Sequence, residues 1–443
     1  MIRRVAILAA AALVASLIGP SGAFSRPLEV AVPSLSELAE RYVQLSLKIG
    51  EREDGYIDAY YGPPEWAVAA KAECAGDAAR SDGGECSYAS LFSDVQALWL
   101  MVVNAKVDTD DDVRRRIFLG AQLRAASTRL HMMSGEKLSF EDEAEGLFGV
   151  RPQLKPLTAY DPVLKEIEAL VPGEGPLWQR VDAFNDRFII PADRLKPVMD
   201  AAIAECRKRT MAHIALPANE QFTLEFVTGK SWSGYNWYKG DATSLIQINT
   251  DLPVRLSRAV DLGCHEGYPG HHVLNLLLEE RLSKGKGWVE FTVYPLYSPQ
   301  SLIAEGSANY GIDLAFPGDE GLRFEREVLF PLAGLDPSTA DKKAQLGALT
   351  RRLARAEYTI ADDYLSGRVG REESIERLMK YTLASRERAT QRLRFIDTYR
   401  SYIINYGLGR DVVQAWVERQ GPDRWRGIET LLASQILPVD LVD

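Results

Sequence analysis

Three of the five histidines of this 443-residue chain fall in one short stretch, DLGCHEGYPGHHVLN, at residues 261–275. His265 and Glu266 match the first half of H-E-x-x-H, the helical arrangement in which two histidines bind zinc and the glutamate serves as a general base. The position four residues after His265 is Pro269 instead of a second histidine. The stretch could therefore activate water on a metal ion, provided that the fold brings another histidine beside His265.

The spacing of the next two histidines excludes a regular helix as the scaffold of such a site. His271 and His272 follow His265 by six and seven residues. At about 100° per residue the sixth position points away, and the seventh lies about 10.5 Å further along the axis. Pro269 has no N–H for the His265 carbonyl, and Gly270 adds backbone freedom. We therefore predict that the helix bulges or breaks here, in a two-residue bulge that moves His271 into the missing position.

On this interpretation His265 and His271 are metal ligands, with His272 as the alternative to His271. A catalytic zinc site usually takes three protein ligands and keeps one position open. Glu305 lies near the start of the helical pattern in SLIAEGSANYGIDLAF, 34 residues beyond His271, and it is the predicted third ligand. The alternative is a surface glutamate that the helix dipole favours at a helix start. Asn309, one turn further on, is predicted to orient a ligand.

The elements that carry these residues are predicted to be mostly helices. Apolar residues recur at helical spacing at 34–53, where a serine precedes the helix, and again at 111–137 and 194–215. Most of the C-terminal part, from residue 340 onward, shows the same periodicity. The chain has no internal repeat and no long linker. These patterns predict a mainly α fold, large and bundle-like, with a small β-sheet beside the active-site cleft.

The strand prediction concerns the segment just before the histidine cluster. ATSLIQINTDLP, residues 242–253, alternates apolar and polar side chains and ends at a proline. An isolated strand needs a partner, and FTLEFVTG at 222–229 is the predicted one. Since edge strands pair with extended peptides in many complexes, Ser244–Asn249 is predicted to bind substrate in this way.

The N-terminus predicts export from the cytoplasm. MIRR, the apolar run that follows it and the small residues of SGAF have the layout of a signal peptide cleaved after Ala23; the alternative is an uncleaved anchor. The remaining residues, 24–443, are predicted to form a single domain that is periplasmic or secreted. The net charge is −10 and there is no basic block, so neither nucleic acid nor membrane insertion after signal removal is expected.

The four cysteines fall into two groups. Cys74 and Cys86 lie in a Gly-, Asp- and Ser-rich segment, where a short disulfide-closed loop is predicted in an oxidising compartment. Cys206 lies in a helical pattern and Cys264 adjoins His265. We interpret both as buried small apolar residues without a disulfide partner.

HEGYPGHH followed by IAEGSANY resembles a bacterial family, domain of unknown function 885, which is grouped with gluzincin-type zinc metallopeptidases of largely helical fold. Its pattern, roughly H-E-x-x-P-G-H-H and then E-G-W-A-x-Y, is matched in both halves, with Ser307 in place of the tryptophan. NYGLG is similar to the family's S-Y-K-x-G and places Tyr406 and Gly409 in register. Tyr402 replaces the glutamine that usually lies four residues before that tyrosine.

The resemblance implies a zinc-dependent peptidase, with Zn²⁺ as cofactor and short peptides as substrates. Glu266 would take a proton from water and pass it to the leaving amine. Tyr406 is the predicted oxyanion donor, with Tyr402 and His272 behind it. The other hypothesis is metal-dependent hydrolysis of non-peptide amides or esters, or metal binding without turnover.

Overall fold

The start signals of the first helix act as predicted in the structure, a computed structural model that describes residues 33–442. The Ser34 hydroxyl accepts a hydrogen bond from the N–H of Glu37, and the Glu37 carboxylate accepts one from the N–H of Ser34 at 2.7 Å. Thr109 caps a later helix with its side chain. Such caps satisfy backbone N–H groups that have no partner within the helix. The predicted signal peptide at 1–23 lies outside the described residues.

Helices make up most of the described chain. Before the histidine cluster they are α1 Leu35–Gly50, α2 Pro64–Glu73, α3 Gly76–Arg80, α4 Tyr88–Val103, α5 Asp110–Met133, α6 Phe140–Phe148, α7 Asp161–Leu170, α8 Leu177–Asp186 and α9 Ala192–Met211. Around the cluster they are α10 Ser257–Leu262, α11 His271–Leu278, α12 Pro299–Ala315, α13 Glu320–Phe324 and α14 Phe330–Ala333. The remainder are α15 Ala340–Arg351, α16 Ala356–Leu365, α17 Arg371–Thr382, α18 Arg386–Tyr399, α19 Ile404–Arg419, α20 Arg424–Leu432 and α21 Pro438–Leu441.

The predicted mainly α fold with a small sheet is confirmed. The three N-terminal helical patterns correspond to α1, α5 and α9, and the C-terminal pattern is divided among α15 to α20. Residues Ser34–Asp443 form one compact unit. Among residues 33–442, no helix combines the length and the apolar character that a membrane crossing requires.

Five strands form two small sheets in the described residues. β1 Ile57–Tyr60 pairs antiparallel with β5 Val293–Pro295. In the second sheet β4 Thr243–Asn249 lies between β2 Gln221–Val227, parallel to it, and β3 Gly234–Gly240, antiparallel to it. The predicted pairing of the two segments is confirmed. The predicted role of Ser244–Asn249 as a peptide-binding edge is wrong, because β4 is the central strand and both of its backbone edges are hydrogen bonded.

α12 is the helix around which the site is built. Nearly all of its side chains are buried, including those of Ser301 and Glu305. It packs against α19 along its length and also contacts α5, α6, α9 and α11. A helix enclosed on all sides needs no polar face toward solvent, and the small residue Gly306 lets α19 approach it closely. Its central position carries Glu305 to the histidine cluster.

Candidate metal centre

His265 and Glu266 lie on a π-helical turn, Gly263–Gly267, that continues α10. After this turn the helix stops at Tyr268 and Pro269, whose peptide bond is cis, and α11 begins at His271. The predicted break at Pro269–Gly270 is therefore present. It takes the form of an end and a restart of the helix, not of a two-residue bulge. The restart places His271 at the first position of a new helix, beside the turn that carries His265.

Gly270 is the residue that makes this close return possible. Its N–H donates to the carbonyl of Cys264 at 3.0 Å. A Cβ added to Gly270 would lie 1.8 Å from the carbonyl oxygen of His265. No other amino acid fits at this contact. The close approach of His265 and His271 therefore depends on a glycine at position 270.

Three ligand atoms converge where α11, α12 and the π-helical turn meet. His265 Nε2 lies 3.1 Å from His271 Nε2 and 3.1 Å from Glu305 Oε2, and His271 Nε2 lies 3.7 Å from the same oxygen. A tetrahedral ion bonded at about 2.0–2.1 Å holds its ligand atoms about 3.3–3.4 Å apart. The three predicted ligands therefore lie at the spacing that a zinc ion requires.

The hydrogen bonds around His265 show which of its ring atoms is free. Asn309 donates its Nδ2–H to the carbonyl of Tyr406 at 3.1 Å, which leaves Asn309 Oδ1 as the acceptor facing His265 Nδ1 at 3.1 Å. Neutral His265 then carries its proton on Nδ1 and directs the lone pair of Nε2 at Glu305. Asn309 is thus placed to orient His265, as the sequence predicted. In this tautomer the converging atoms are all acceptors, and a cation between them would take the place of the proton that His265 Nε2 shares with Glu305 when His265 is charged.

The ionisation of the three proposed ligands reflects their burial and their contacts with one another. Burial lowers the pKa of His271 to about 4, so this imidazole is neutral at pH 7. Burial also disfavours charge on His265, but the hydrogen bond to Glu305 outweighs it and raises the pKa of His265 above its ordinary value. In Glu305, burial is outweighed by the two histidines, and the pKa is held below the ordinary range. Tyr402 donates to Glu305 Oε1 at 2.8 Å and leaves Oε2 for the cation.

Glu266 lines a pocket that opens beside these ligands. The pocket has about 480 Å³ of free space, including its mouth. No hydrogen bond from residues 33–442 reaches the Glu266 carboxylate, whose pKa burial raises to about 7. The backbone of β3 packs against this carboxylate, since a Cβ on Gly234 would lie 2.8 Å from Glu266 Oε1. Asn236 holds the turn by donating to the Glu266 carbonyl at 2.6 Å.

Tyr406 differs from the other tyrosines of the pocket. Its ring lies nearly parallel to that of His265, with 6.2 Å between the centroids. Its hydroxyl has no partner among the described residues, and burial holds its pKa well above the usual range, so it remains a donor. The other four pocket tyrosines have hydroxyl partners: Tyr235 with Asp58, Tyr294 with Ser301, Tyr399 with Ser231 and Tyr402 with Glu305.

The structure does not bring His272 to the site. It is fully buried, with Nδ1 2.8 Å from Ser244 Oγ and Nε2 3.1 Å from Glu220 Oε1. Both ring nitrogens are therefore engaged, and neither the ligand alternative nor the oxyanion role predicted for His272 fits this arrangement. Burial raises the pKa of Glu220, but hydrogen bonds from His272, Tyr268 and Arg207 outweigh it and hold the pKa at about 2.

Two glycines bring the tyrosine-bearing helix against α12. A Cβ on Gly306 would lie 2.5 Å from the carbonyl carbon and oxygen of Gly409, and a Cβ on Gly409 would lie 2.8 Å from the Leu302 carbonyl oxygen. The backbones of α12 and α19 are thus in direct contact one residue after Glu305. This contact brings Tyr406, on α19, and Tyr402, in the 3-10 turn Arg400–Ile403 just before α19, to the proposed ligands.

Sequence reasoning missed one covalent link at the site. Cys206 and Cys264, predicted to be unpaired, form a disulfide that ties α9 to the residue before His265. The predicted Cys74–Cys86 disulfide is also present. The even number of cysteines in a chain predicted to be exported was the available signal for the second bond. Position alone gave no indication, because the two residues are 58 apart in sequence.

Comparisons with known proteins bear on the fold alone. No family model matches the chain, and no curated protein matches it. A crystal structure of a protein from Colwellia psychrerythraea, named a "putative lipoprotein", is similar over 85% of this chain and 68% of its own, with 15% identity and a TM-score of 0.51. A second crystal structure, named BsuCP, covers 90% of this chain and 87% of its own at 11% identity, with a TM-score of 0.40. At these identities, and with the second score below 0.5, neither neighbour assigns an activity.

Proposed function

We propose that this protein is a zinc-dependent hydrolase whose substrates are short peptides outside the cytoplasm. The observation that carries the proposal is the convergence of His265, His271 and Glu305, whose ligand atoms all lie within 4.8 Å of one another. These atoms border a pocket that also holds the Glu266 carboxylate. Three protein ligands leave a position open, which is the arrangement of catalytic rather than structural zinc sites.

Several residues at the pocket have a part in this proposal. Zinc, when bound, supplies Lewis acidity toward water and a substrate carbonyl. Glu266 is the general base: it follows a ligand directly in sequence, faces the pocket and has no competing hydrogen bond from the described chain. Tyr406 donates its free hydroxyl to the developing oxyanion. Asn309 and Tyr402 keep His265 and Glu305 in their ligand orientations.

The same residues support the proposed kinship with domain-of-unknown-function family 885. The Pro-Gly pair of its pattern corresponds to the break that positions His271. The glycine that follows the second glutamate of the pattern is Gly306 in this chain, where the absence of a side chain permits the contact with Gly409. The replacement of the family's glutamine by Tyr402 retains a donor, because the tyrosine hydroxyl binds Glu305. We infer a distant member of that family.

A periplasmic or secreted location is part of the proposal. Two disulfides are typical of oxidising compartments, and the signal-like N-terminal sequence agrees with export. The lipoprotein name of the structural neighbour from Colwellia psychrerythraea is consistent with such a location. The substrates would then be peptides present outside the cytoplasm.

The test is hydrolysis of a mixed peptide library by protein produced without residues 1–23. Zinc content is first measured by mass spectrometry of the metal, and cleavage is then read by mass spectrometry of the peptides. We expect cleavage that a zinc chelator abolishes and that Glu266→Gln removes while retaining zinc. Glu40→Gln, on an exposed face of α1, is the matched control and should cleave normally.

Each result of this experiment has a definite meaning. No cleavage by protein that holds one zinc ion per chain would reject the peptidase proposal, and a screen of other amides and esters would follow. Full activity of Glu266→Gln would reject the assignment of the base. Four strong protein ligands in the X-ray absorption spectrum of the zinc would reject a catalytic site in favour of metal binding alone.

A further inference from the structure

One carboxylate of the pocket has no part in the proposed mechanism. Asp58, on β1, lines the pocket together with Glu266 and Glu305. It accepts a hydrogen bond from the hydroxyl of Tyr235 on β3. No other side chain or backbone group of residues 33–442 is hydrogen bonded to it or forms an ion pair with it. β1 therefore delivers an acidic group to the pocket without a counter-ion.

The charges around the pocket leave Asp58 uncompensated. No lysine or arginine lines this pocket. Two arginines that act electrostatically on pocket residues are occupied elsewhere, Arg258 with Asp261 and Arg392 with Glu357. A zinc ion would be balanced by the charges of Glu305 and Glu266, and the negative charge of Asp58 would remain.

The environment of Asp58 penalises this charge in the absence of a ligand. Burial, together with the charge of Glu305 and against the opposing effect of the Tyr235 hydrogen bond, raises the pKa of Asp58 to about 7. A cation beside Asp58 would favour its ionised form. The carboxylate is thus placed where a positively charged ligand group gains most from binding.

Aromatic rings complete the surroundings of this carboxylate. Trp232 and Tyr235 lie 5.4 Å apart between ring centroids, and Phe395 and Tyr399 lie 4.6 Å apart. All four line the same pocket. Aromatic faces attract ammonium groups, most strongly where water is excluded. A carboxylate among aromatic rings is suited to a primary ammonium, not to a carboxylate or a phosphate.

We propose that Asp58 and the rings of Trp232, Tyr235, Phe395 and Tyr399 form a subsite for a primary ammonium group of the substrate. The inference rests on the proposed function for the statement that this substrate is a peptide. The ammonium is then either the free amino terminus or the side chain of a lysine beside the cleaved bond. The first source would make the enzyme selective for the N-terminal end of short peptides.

Binding of three small probes tests the subsite without turnover. L-phenylalaninamide carries an α-ammonium, N-acetyl-L-lysinamide carries only a side-chain ammonium, and N-acetyl-L-phenylalaninamide carries none. Isothermal titration calorimetry is done in the inactive Glu266→Gln background, with zinc and after its removal. The second condition separates Asp58 from coordination of the amine by zinc. The variants compared are Asp58→Asn and, as matched control, Asp397→Asn, an exposed aspartate of α18 that also accepts from a tyrosine, Tyr364.

We expect at least one amine probe to bind about ten-fold or more tightly than the acetylated probe, the gain typical of a charged hydrogen-bonded pair. Asp58→Asn should reduce this ratio to about one, and Asp397→Asn should leave it unchanged. Preference for phenylalaninamide assigns the amino terminus, and preference for the lysine probe assigns a side chain. Equal binding of all three probes, or a ratio that Asp58→Asn leaves intact, overturns the proposal.

A kinetic arm in the active protein keeps the two proposals separable. If the library experiment shows hydrolysis, matched peptides with free and acetylated N-termini are compared, and Asp58→Asn should raise KM for the preferred peptide with little change in kcat. If the protein hydrolyses no peptide, the proposed function is rejected. The calorimetric experiment still tests the ammonium subsite, because it measures binding without turnover. Melting temperatures of both aspartate variants show whether each is folded.

Discussion

Replacing Gly306 by alanine tests the link between helix packing and the metal centre. Gly306 lies one residue after the proposed ligand Glu305, where α12 touches α19. An alanine Cβ would lie 2.5 Å from the backbone of Gly409 and 2.9 Å from Val413 Cγ2. Because the obstructing atoms belong to backbone, no side-chain rotation relieves the clash, and the two helices must move apart.

The size of the effect follows from these distances. Ordinary contact begins at 3.4 Å, so α19 must move by roughly 0.9 Å, for an overpacking cost of about 1–3 kcal/mol. The higher helix propensity of alanine than of glycine offsets up to about 1 kcal/mol of this cost. The same shift stretches the bond of 2.8 Å between Tyr402 and Glu305 beyond hydrogen-bonding range. Loss of such a ligand-supporting bond weakens metal binding by about 10- to 100-fold.

Two measurements follow from this estimate. Urea unfolding of the zinc-free protein should show Gly306→Ala to be less stable than the parent by up to about 2 kcal/mol. Competition with a fluorescent chelator should show zinc affinity lowered by about 10- to 100-fold. Gly120→Ala is the matched control, since the added Cβ in the middle of α5 would meet its nearest atom at 3.8 Å; it should retain zinc affinity and lose no stability.

Unchanged zinc affinity in a folded Gly306→Ala protein would refute the reasoning, because the helix contact would then not set the position of the ligand. If Gly306→Ala does not fold, Gly409→Ala provides the same test with a smaller displacement, its Cβ lying 2.8 Å from the Leu302 carbonyl oxygen. Equal losses in Gly120→Ala and Gly306→Ala would also contradict it, since only one of the two contacts is closer than ordinary packing.

Three further predictions follow from individual contacts. Asn309→Ala should lower zinc affinity by about 10- to 100-fold in the chelator competition, because His265 loses the bond that orients it; an unchanged affinity would exclude that role. Replacing Cys206 and Cys264 by alanine should cost about 4 kcal/mol in urea unfolding, as expected for closure of a 58-residue loop, and an equal stability would show that the bond does not form. Because the pKa of Glu220 is lowered from 4.5 to about 2, its stabilising charge is fully present above pH 4.5 and is lost as the pH falls toward 2. Unfolding between pH 5 and pH 3 should therefore lose more stability in the parent than in Glu220→Gln, and parallel curves would contradict the assignment.

Local sequence was sufficient for several of the long helices and for the break in the histidine cluster. A serine cap with a glutamate three residues on begins α1 because those side chains satisfy neighbouring backbone groups. Pro269 and Gly270 interrupt the helix because one lacks an N–H and the other lacks a Cβ. Both effects act within a few residues, and the ligand pair His265 and His271 could therefore be proposed from the sequence.

Other features depended on contacts between segments far apart in the chain. The central place of β4 was decided by β3, which the sequence patterns did not reveal as its second partner. The position of His272 was decided by Glu220, 52 residues away. The Cys206–Cys264 disulfide and the delivery of Asp58 by β1 are of the same kind. Period and capping signals describe only neighbouring residues, and so they carry no information on such pairs.

What the sequence by itself determined was the inventory of the candidate site: two histidines, Glu305 as the proposed third ligand, Glu266 as the proposed base and a helical scaffold. What only the tertiary structure decided was orientation, since a ring nitrogen is free or engaged according to the groups packed around it. His271 and His272 are adjacent in sequence, but one faces Glu305 and the other Glu220. Neighbouring side chains on a helix diverge by about 100°, so the packing of distant elements gives two identical residues different chemistry.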